Sequence, residues 1–70
     1  MKELNKFEFD CAIVGVQMTR YNNGGEDTYK VTIMPKDGGD DEVTTAVGDR
    51  FTTPEEIATQ EYREYIKRNL

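Results

Sequence analysis

The residues best equipped for chemistry are carboxylates concentrated in one short segment. Residues 37–42 read Asp-Gly-Gly-Asp-Asp-Glu, and a second acidic pair follows the glycines at 24 and 25. An EF-hand calcium loop needs alternating oxygen ligands with glycine at its sixth position, which this spacing does not provide. Two interpretations therefore remain: a solvated turn, or carboxylates that mimic phosphates and bind a basic cleft of a partner. The candidate partner-binding residues are Asp37, Asp40, Asp41, Glu42, Glu26 and Asp27.

The residue types that other catalytic chemistry requires are largely missing. The chain has no histidine, no tryptophan and a single cysteine, Cys11. A catalytic thiol needs an electropositive neighbourhood and usually a histidine, whereas Cys11 follows Asp10, so we interpret it as a small core residue. A structural zinc site is excluded by the same composition. A catalytic carboxylate pair would need a cleft for which 70 residues leave little room. We therefore expect a protein that is not an enzyme and uses no cofactor or metal.

The charge balance bears on the kind of partner. Fourteen acidic residues against nine basic ones give a formal net charge of −5. Such a surface disfavours direct binding to nucleic acid or anionic lipid, which needs clustered lysine and arginine, and suits a basic protein partner. No apolar run approaches the roughly 20 residues of a membrane span. One unpaired cysteine fits a reducing compartment, so we expect a cytoplasmic protein.

Alternating apolar and polar residues predict β-strands along most of the chain. Residues 6–21 alternate with period two, but the apolar phase flips near Gly15, which predicts a bulge or bend at 13–15 in one long strand or two. A turn at 21–27 leads into a second strand over 28–34, which Pro35 ends. A turn at 36–41 precedes a third strand marked by Val43, Thr45 and Val47. Consecutive strands with short connections favour an antiparallel meander.

A C-terminal helix is predicted from Pro54 to Asn69. Thr53 is a suitable N-cap, proline occupies the first helical position, and Glu56 would complete a capping box. One apolar stripe at helical spacing consists of Ala58, Tyr62, Tyr65, Ile66 and Leu70. Tyrosines in such a stripe more often pack in a core than stack on bases. We expect the stripe to cover the sheet face that bears Tyr29, Val31, Ile33, Val43 and Val47.

The predicted fold class is therefore α+β: a single domain, residues 1–70, with a meander of three or four antiparallel strands and one C-terminal helix. A domain of this size obtains only about 3–5 kcal/mol from its core, and one cysteine cannot form an intrachain disulfide. Self-association is the remaining means of stabilisation. We predict a homo-oligomer through the N-terminal strand, where Phe7 and Phe9 would lie on an unpaired edge.

Two functional hypotheses follow. In size, charge and lack of catalytic residues, the chain resembles the small acidic accessory proteins that phages and mobile elements use against host enzymes. The first hypothesis is accordingly an inhibitor or adaptor that binds a host protein, with a nucleic-acid-binding surface of that protein as the candidate contact. The alternative is an oligomer that binds or sequesters a small ligand, such as a nucleotide, in pockets between chains. Its candidate ligand-binding residues are Tyr21, Tyr29, Arg20 and Arg50.

Overall fold

The architecture is a four-stranded antiparallel sheet with one C-terminal helix, which confirms the predicted α+β class. It is seen in a computed structural model that describes residues 4–20, 25–49 and 51–69. The strands are adjacent in chain order, β1-β2-β3-β4, as in a meander. Their bounds are β1 Leu4–Glu8, β2 Ala12–Arg20, β3 Asp27–Pro35 and β4 Glu42–Gly48, and α1 spans Pro54–Arg68.

The N-terminal stretch forms two strands, but they are separated at residues 9–11 and not at residues 13–15, where the change in apolar phase had predicted a break. β1 pairs with β2 through a tight turn at Asp10 and Cys11, and the Phe9 N–H donates to the Ala12 carbonyl at 2.9 Å. The β2–β3 ladder runs unbroken through residues 13–15, so the predicted bulge there is wrong. The ladder shifts register instead between Met18 and Arg20. The apolar phase changes because the chain reverses direction.

The core lies between α1 and one face of the sheet, with α1 packed mainly against β2. Its central side chains come from alternate positions of β2 and β3, as expected when one face of a strand is buried. Partly buried aromatic side chains from β1 and α1 close its margin. The buried apolar residues are Ala12, Val14, Val16, Tyr29, Val31, Ile33, Ile57 and Ala58.

The opposite face of the sheet is not covered by any described element, and it carries two valines that we had placed in the core. Thr44 of β4 pairs with Val31, so Thr44 and Ala46 share the helix side while Val43 and Val47 project from the other. Val43 is 60% exposed and Val47 is 55% exposed. The prediction that both pack under the helix is therefore wrong, because β4 carries its larger apolar residues on its outer face.

The helix begins as its sequence predicts. Thr53 is the N-cap, and its hydroxyl accepts a hydrogen bond from the Glu56 N–H at 3.2 Å. Pro54 occupies the first turn, where a missing N–H costs nothing. The helix ends at Arg68, and Lys67 and Arg68 complement the negative end of its dipole. The predicted stripe omitted Ile57, which is buried, and its last member, Leu70, lies outside the described residues.

Candidate partner-binding site

Two turns that carry carboxylates lie at the same end of the sheet. The β1–β2 turn and the β3–β4 turn lie side by side, and the Lys36 N–H donates to the Cys11 carbonyl at 2.9 Å. Asp10 thereby lies beside the carboxylates of residues 37–42, although it was not among the candidate partner-binding residues. We had placed Asp10 within a strand, so nothing in that assignment pointed to it. We define the acidic end as Asp10, Asp37, Asp40 and Asp41, all of them exposed.

A hydrogen bond of Asp37 and the backbone conformation of Gly38 stabilise the β3–β4 turn. One carboxylate oxygen of Asp37, Oδ1, accepts the Gly39 N–H at 2.9 Å. Gly38 has a φ of +89°, a conformation that residues with a side chain rarely adopt. Asp37 and Gly38 therefore account for the turn itself, whereas Asp40 and Asp41 are not required for it. Their negative charges need another explanation, either solubility or binding.

Ion pairs with two basic side chains border the acidic end. Lys36 Nζ lies 2.7 Å from Glu8 Oε2, and this hydrogen bond, with the lysine charge, lowers the pKa of Glu8. Arg68 Nη1 lies 2.9 Å from Glu42 Oε1, so Glu42 is already paired within the chain. Among the described residues, Asp10, Asp40 and Asp41 form no ion pair. These three carboxylates are the ones that a basic partner would meet.

The other two predicted partner-binding residues lie at the opposite end of the molecule. Glu26 and Asp27 precede and begin β3, whose nine residues separate them from the β3–β4 turn by about 25 Å. Glu26 is exposed, but Asp27 is only 4% exposed. Burial, and then the nearby Asp27 and Asp49 carboxylates, raise the pKa of Tyr29. Asp27 thus belongs to the interior, and the six residues do not form one continuous surface.

A cleft of about 730 Å³ lies beside the acidic end. Asp10 and Asp37 line one part of it, and Tyr65 and Ile66 near the end of α1 supply an apolar part. The lining residues are Asp10, Cys11, Lys36, Asp37, Tyr65, Ile66 and Asn69. Carboxylates next to an aromatic ring suit a lysine or arginine side chain, whose apolar stem and charged head need both kinds of surface.

Cys11 lies in the β1–β2 turn and is exposed, so its predicted place in the core is wrong. Its backbone N–H donates to the Tyr62 hydroxyl at 3.1 Å. This hydrogen bond lowers the pKa of Tyr62, but burial and the adjacent Cys11 and Asp10 outweigh it and leave the pKa raised.

Phe7 lies on the edge strand β1, as predicted, whereas Phe9 follows the end of that strand. Both are partly buried against the core. The Phe9 ring stacks on Tyr62 with centroids 4.3 Å apart and planes inclined by 12°. Tyr65 packs beside Tyr62. These rings cover the margin of the core within one chain, so the structure gives them an intramolecular role.

The residues of the ligand-binding alternative are not brought together in the described part of the chain. Tyr29 is 2% exposed and belongs to the core, so it cannot line a pocket between chains. Arg20 is exposed at the end of β2. Tyr21 and Arg50 lie outside the described residues. No observed feature of these four positions therefore favours the alternative.

Within residues 4–20, 25–49 and 51–69, no group of three or more His, Cys, Asp or Glu side chains is placed to hold a metal ion. None of the described helical segments is both long and apolar enough to cross a membrane. Comparison with protein-family models, curated proteins and solved structures finds no match to this chain. The interpretation of the acidic end therefore depends on its own geometry and charge.

Proposed function

We propose that this protein is a non-enzymatic interaction protein, an inhibitor or adaptor of the phage or mobile-element kind, that binds a basic surface of a host protein. The observation that carries the proposal is the acidic end. Asp10, Asp40 and Asp41 lie there on two turns that the Lys36–Cys11 backbone hydrogen bond joins. They remain exposed and without an ion pair among the described residues.

The cost of gathering like charges supports a binding role. Carboxylates clustered in neighbouring turns repel one another, and Asp37 with Gly38 already supplies what the β3–β4 turn requires. A partner with clustered lysine and arginine would offset that repulsion and gain in association rate from complementary charge. Surfaces that bind nucleic acid are of this kind, so exposed, unpaired carboxylates are suited to occupy one.

The neighbouring cleft adds a means of specificity. A basic side chain of the partner would place its charged head against Asp10 and Asp37 and its stem along Tyr65. Arginine fits best, because its planar guanidinium pairs with carboxylates and stacks on aromatic rings. An acidic surface alone attracts many basic proteins, whereas a shaped cleft beside it selects among them.

Variant-dependent capture tests the proposal. The immobilised protein is incubated with a lysate of its host, alongside Asp40→Asn/Asp41→Asn, which keeps turn-forming residues and removes two charges. The matched control, Glu26→Gln/Glu55→Gln, removes two exposed charges at the opposite end. We expect one host protein to bind the wild type and the control and to be depleted at least about tenfold on the acidic-end variant. Equal recovery on all three forms, or no specific protein on any, would contradict the proposal.

A further inference from the structure

The second edge of the sheet, β4, exposes Val43, Thr44, Thr45 and Val47, and these residues lack the usual protection of an edge strand. Proteins guard such edges with charges, proline, bulges or short strands, because their unpaired N–H and C=O groups otherwise recruit another strand. β1, the other edge, has five residues and carries Lys6 and Glu8. β4 has seven, and residues 43–47 read Val-Thr-Thr-Ala-Val, with no charge and no proline.

The helix leaves this edge open. Two clefts, of about 250 and 360 Å³, separate α1 from β4 along the helix side of the sheet. Thr44 is exposed there, and Ala46 is only partly buried. On the other side, Val43 and Val47 are more than half exposed. Both side-chain rows of β4 are thus accessible, together with the backbone groups that alternate residues direct away from β3.

The sequence of β4 is nearly symmetric about its central residue. A two-fold axis through Thr45, perpendicular to the sheet, would pair β4 with β4 of a second copy in antiparallel register. Val43 then faces Val47 of the second copy, and Thr44 faces Ala46 of the second copy on the helix side. Glu42, the one charged residue of β4, lies opposite a glycine, Gly48 of the second copy. Like charges therefore do not oppose each other in this register.

When the two-fold axis is moved by one residue in either direction, the valines no longer face each other. An axis through Thr44 would leave Val47 opposite Asp41 of the second copy, and an axis through Ala46 would leave Val43 opposite Asp49 of the second copy. The Thr45 register is the one that covers all four exposed valines with each other. β-Branched pairs across antiparallel strands stabilise a sheet by roughly 0.2–1 kcal/mol each relative to alanine.

We propose that the protein forms a homodimer by antiparallel β4–β4 pairing centred on Thr45, which joins two sheets into one of eight strands. The proposal depends on the β4 edge alone and is independent of the acidic end. It concerns a different edge of the sheet from the Phe7 and Phe9 contact that the sequence predicts. Because the interface is one strand plus its side chains, we expect a dissociation constant in the micromolar range, about 1–100 μM.

A charge-swap series tests both the dimer and its register. Analytical ultracentrifugation of the wild type from low to high micromolar concentration should show a reversible monomer–dimer equilibrium. In Val43→Lys/Val47→Lys the introduced lysines oppose each other across the interface, so the dissociation constant should rise at least about tenfold. In Val43→Lys/Val47→Glu opposite charges face each other at the same positions, so dimerisation should recover relative to the double-lysine variant.

The control is Leu4→Lys, which changes an exposed apolar residue on the distant edge strand and should leave the equilibrium unchanged. Circular dichroism confirms that each variant is folded, and amide exchange should show β4 protection that increases with protein concentration. A wild type that stays monomeric at high micromolar concentration would overturn the proposal. So would a dimer that the double-lysine variant leaves intact, or a charge-swap variant that associates no better than the double-lysine one.

Discussion

A single hydroxyl group links the helix to the β1–β2 turn. Tyr62 reaches across from α1 to accept the Cys11 N–H, and its ring stacks on Phe9 beside the same turn. The adjacent turn is held by the Lys36–Cys11 backbone hydrogen bond. The position of Asp10 relative to the β3–β4 turn thus depends on a few contacts of neighbouring residues. The Tyr62–Cys11 contact and the nearby ion pair of Glu8 with Lys36 can each be tested by single substitutions.

Removing the Tyr62 hydroxyl isolates the first contact. Tyr62→Phe keeps the ring and its stacking but deletes the acceptor, so the free energy of unfolding should fall by about 0.5–1 kcal/mol. Tyr65→Phe is the matched control, because no hydrogen bond of the Tyr65 hydroxyl is seen among the described residues, and its effect should be near zero. Urea unfolding of both variants measures the difference. Equal losses in the two variants would show that the Cys11 contact contributes nothing specific.

The ion pair of Glu8 with Lys36 is the second contact. Their 2.7 Å separation lowers the pKa of Glu8 below its ordinary value of 4.5. A carboxyl whose pKa is lower in the folded state stabilises the fold above its unfolded pKa, and this contribution disappears as the pH falls through the folded pKa. The small stabilisation from this exposed pair is therefore complete above about pH 4.5 and is lost in more acidic solution.

A carboxyl NMR titration tests that assignment. Lys36→Gln should raise the pKa of Glu8 towards its ordinary value, because both the hydrogen bond and the positive charge are removed. Lys30→Gln is the control, since this exposed lysine forms no ion pair with a described residue. A pKa of Glu8 that is the same in the wild type and in Lys36→Gln would contradict the ion pair.

Among the secondary-structure elements, the helix and the β3–β4 turn were predicted correctly, because their residue types favour the conformation that the fold requires. The helix was foreseen because Thr53, Pro54 and Glu56 are favoured at a helix start. The β3–β4 turn was foreseen from its glycines, one of which adopts positive φ. The Asp10–Cys11 turn was missed, because it contains no glycine, asparagine or proline and none of its residues has positive φ.

The orientation of β4 could not be deduced from its pattern. The alternation of Val43, Thr45 and Val47 correctly indicates a strand, but it does not say which face is buried. The register of pairing with β3 determines which face of β4 is buried and directs both valines outward. The acidic end was predicted only in part for a related reason, because which turns share an end depends on the number of strands. With two N-terminal strands, the turn containing Asp10 lies beside the turn containing Asp40.

The helix N-cap gives a prediction at this scale. Thr53→Ala removes the acceptor of the Glu56 N–H and should lower the free energy of unfolding by about 1 kcal/mol, a large fraction for so small a domain. Thr53→Ser retains a capping hydroxyl and should stay close to the wild type. Thermal and urea unfolding followed by circular dichroism measure both. If Thr53→Ala were as stable as Thr53→Ser, the cap would not contribute to the helix.

For the whole molecule, the acidic end and the exposed valines of β4 are two separate surface features. The acidic end lies where two turns meet, while the exposed valines lie on β4 and on the uncovered face of the sheet. In the dimer we propose, the antiparallel pairing of β4 directs the two acidic ends to opposite ends of the joined sheet. Each would then be free to bind its own partner molecule, so we expect one partner per chain.

If the acidic end, and not net charge alone, binds a basic protein surface, the association rate constant with the captured partner should depend on ionic strength in a way that differs between variants. We expect added salt to slow association of the wild type steeply. Asp40→Asn/Asp41→Asn should associate more slowly and with a shallower salt dependence, whereas Glu26→Gln/Glu55→Gln should behave like the wild type. The same rate and salt dependence for all three forms would show that the acidic end is only a solvated pair of turns.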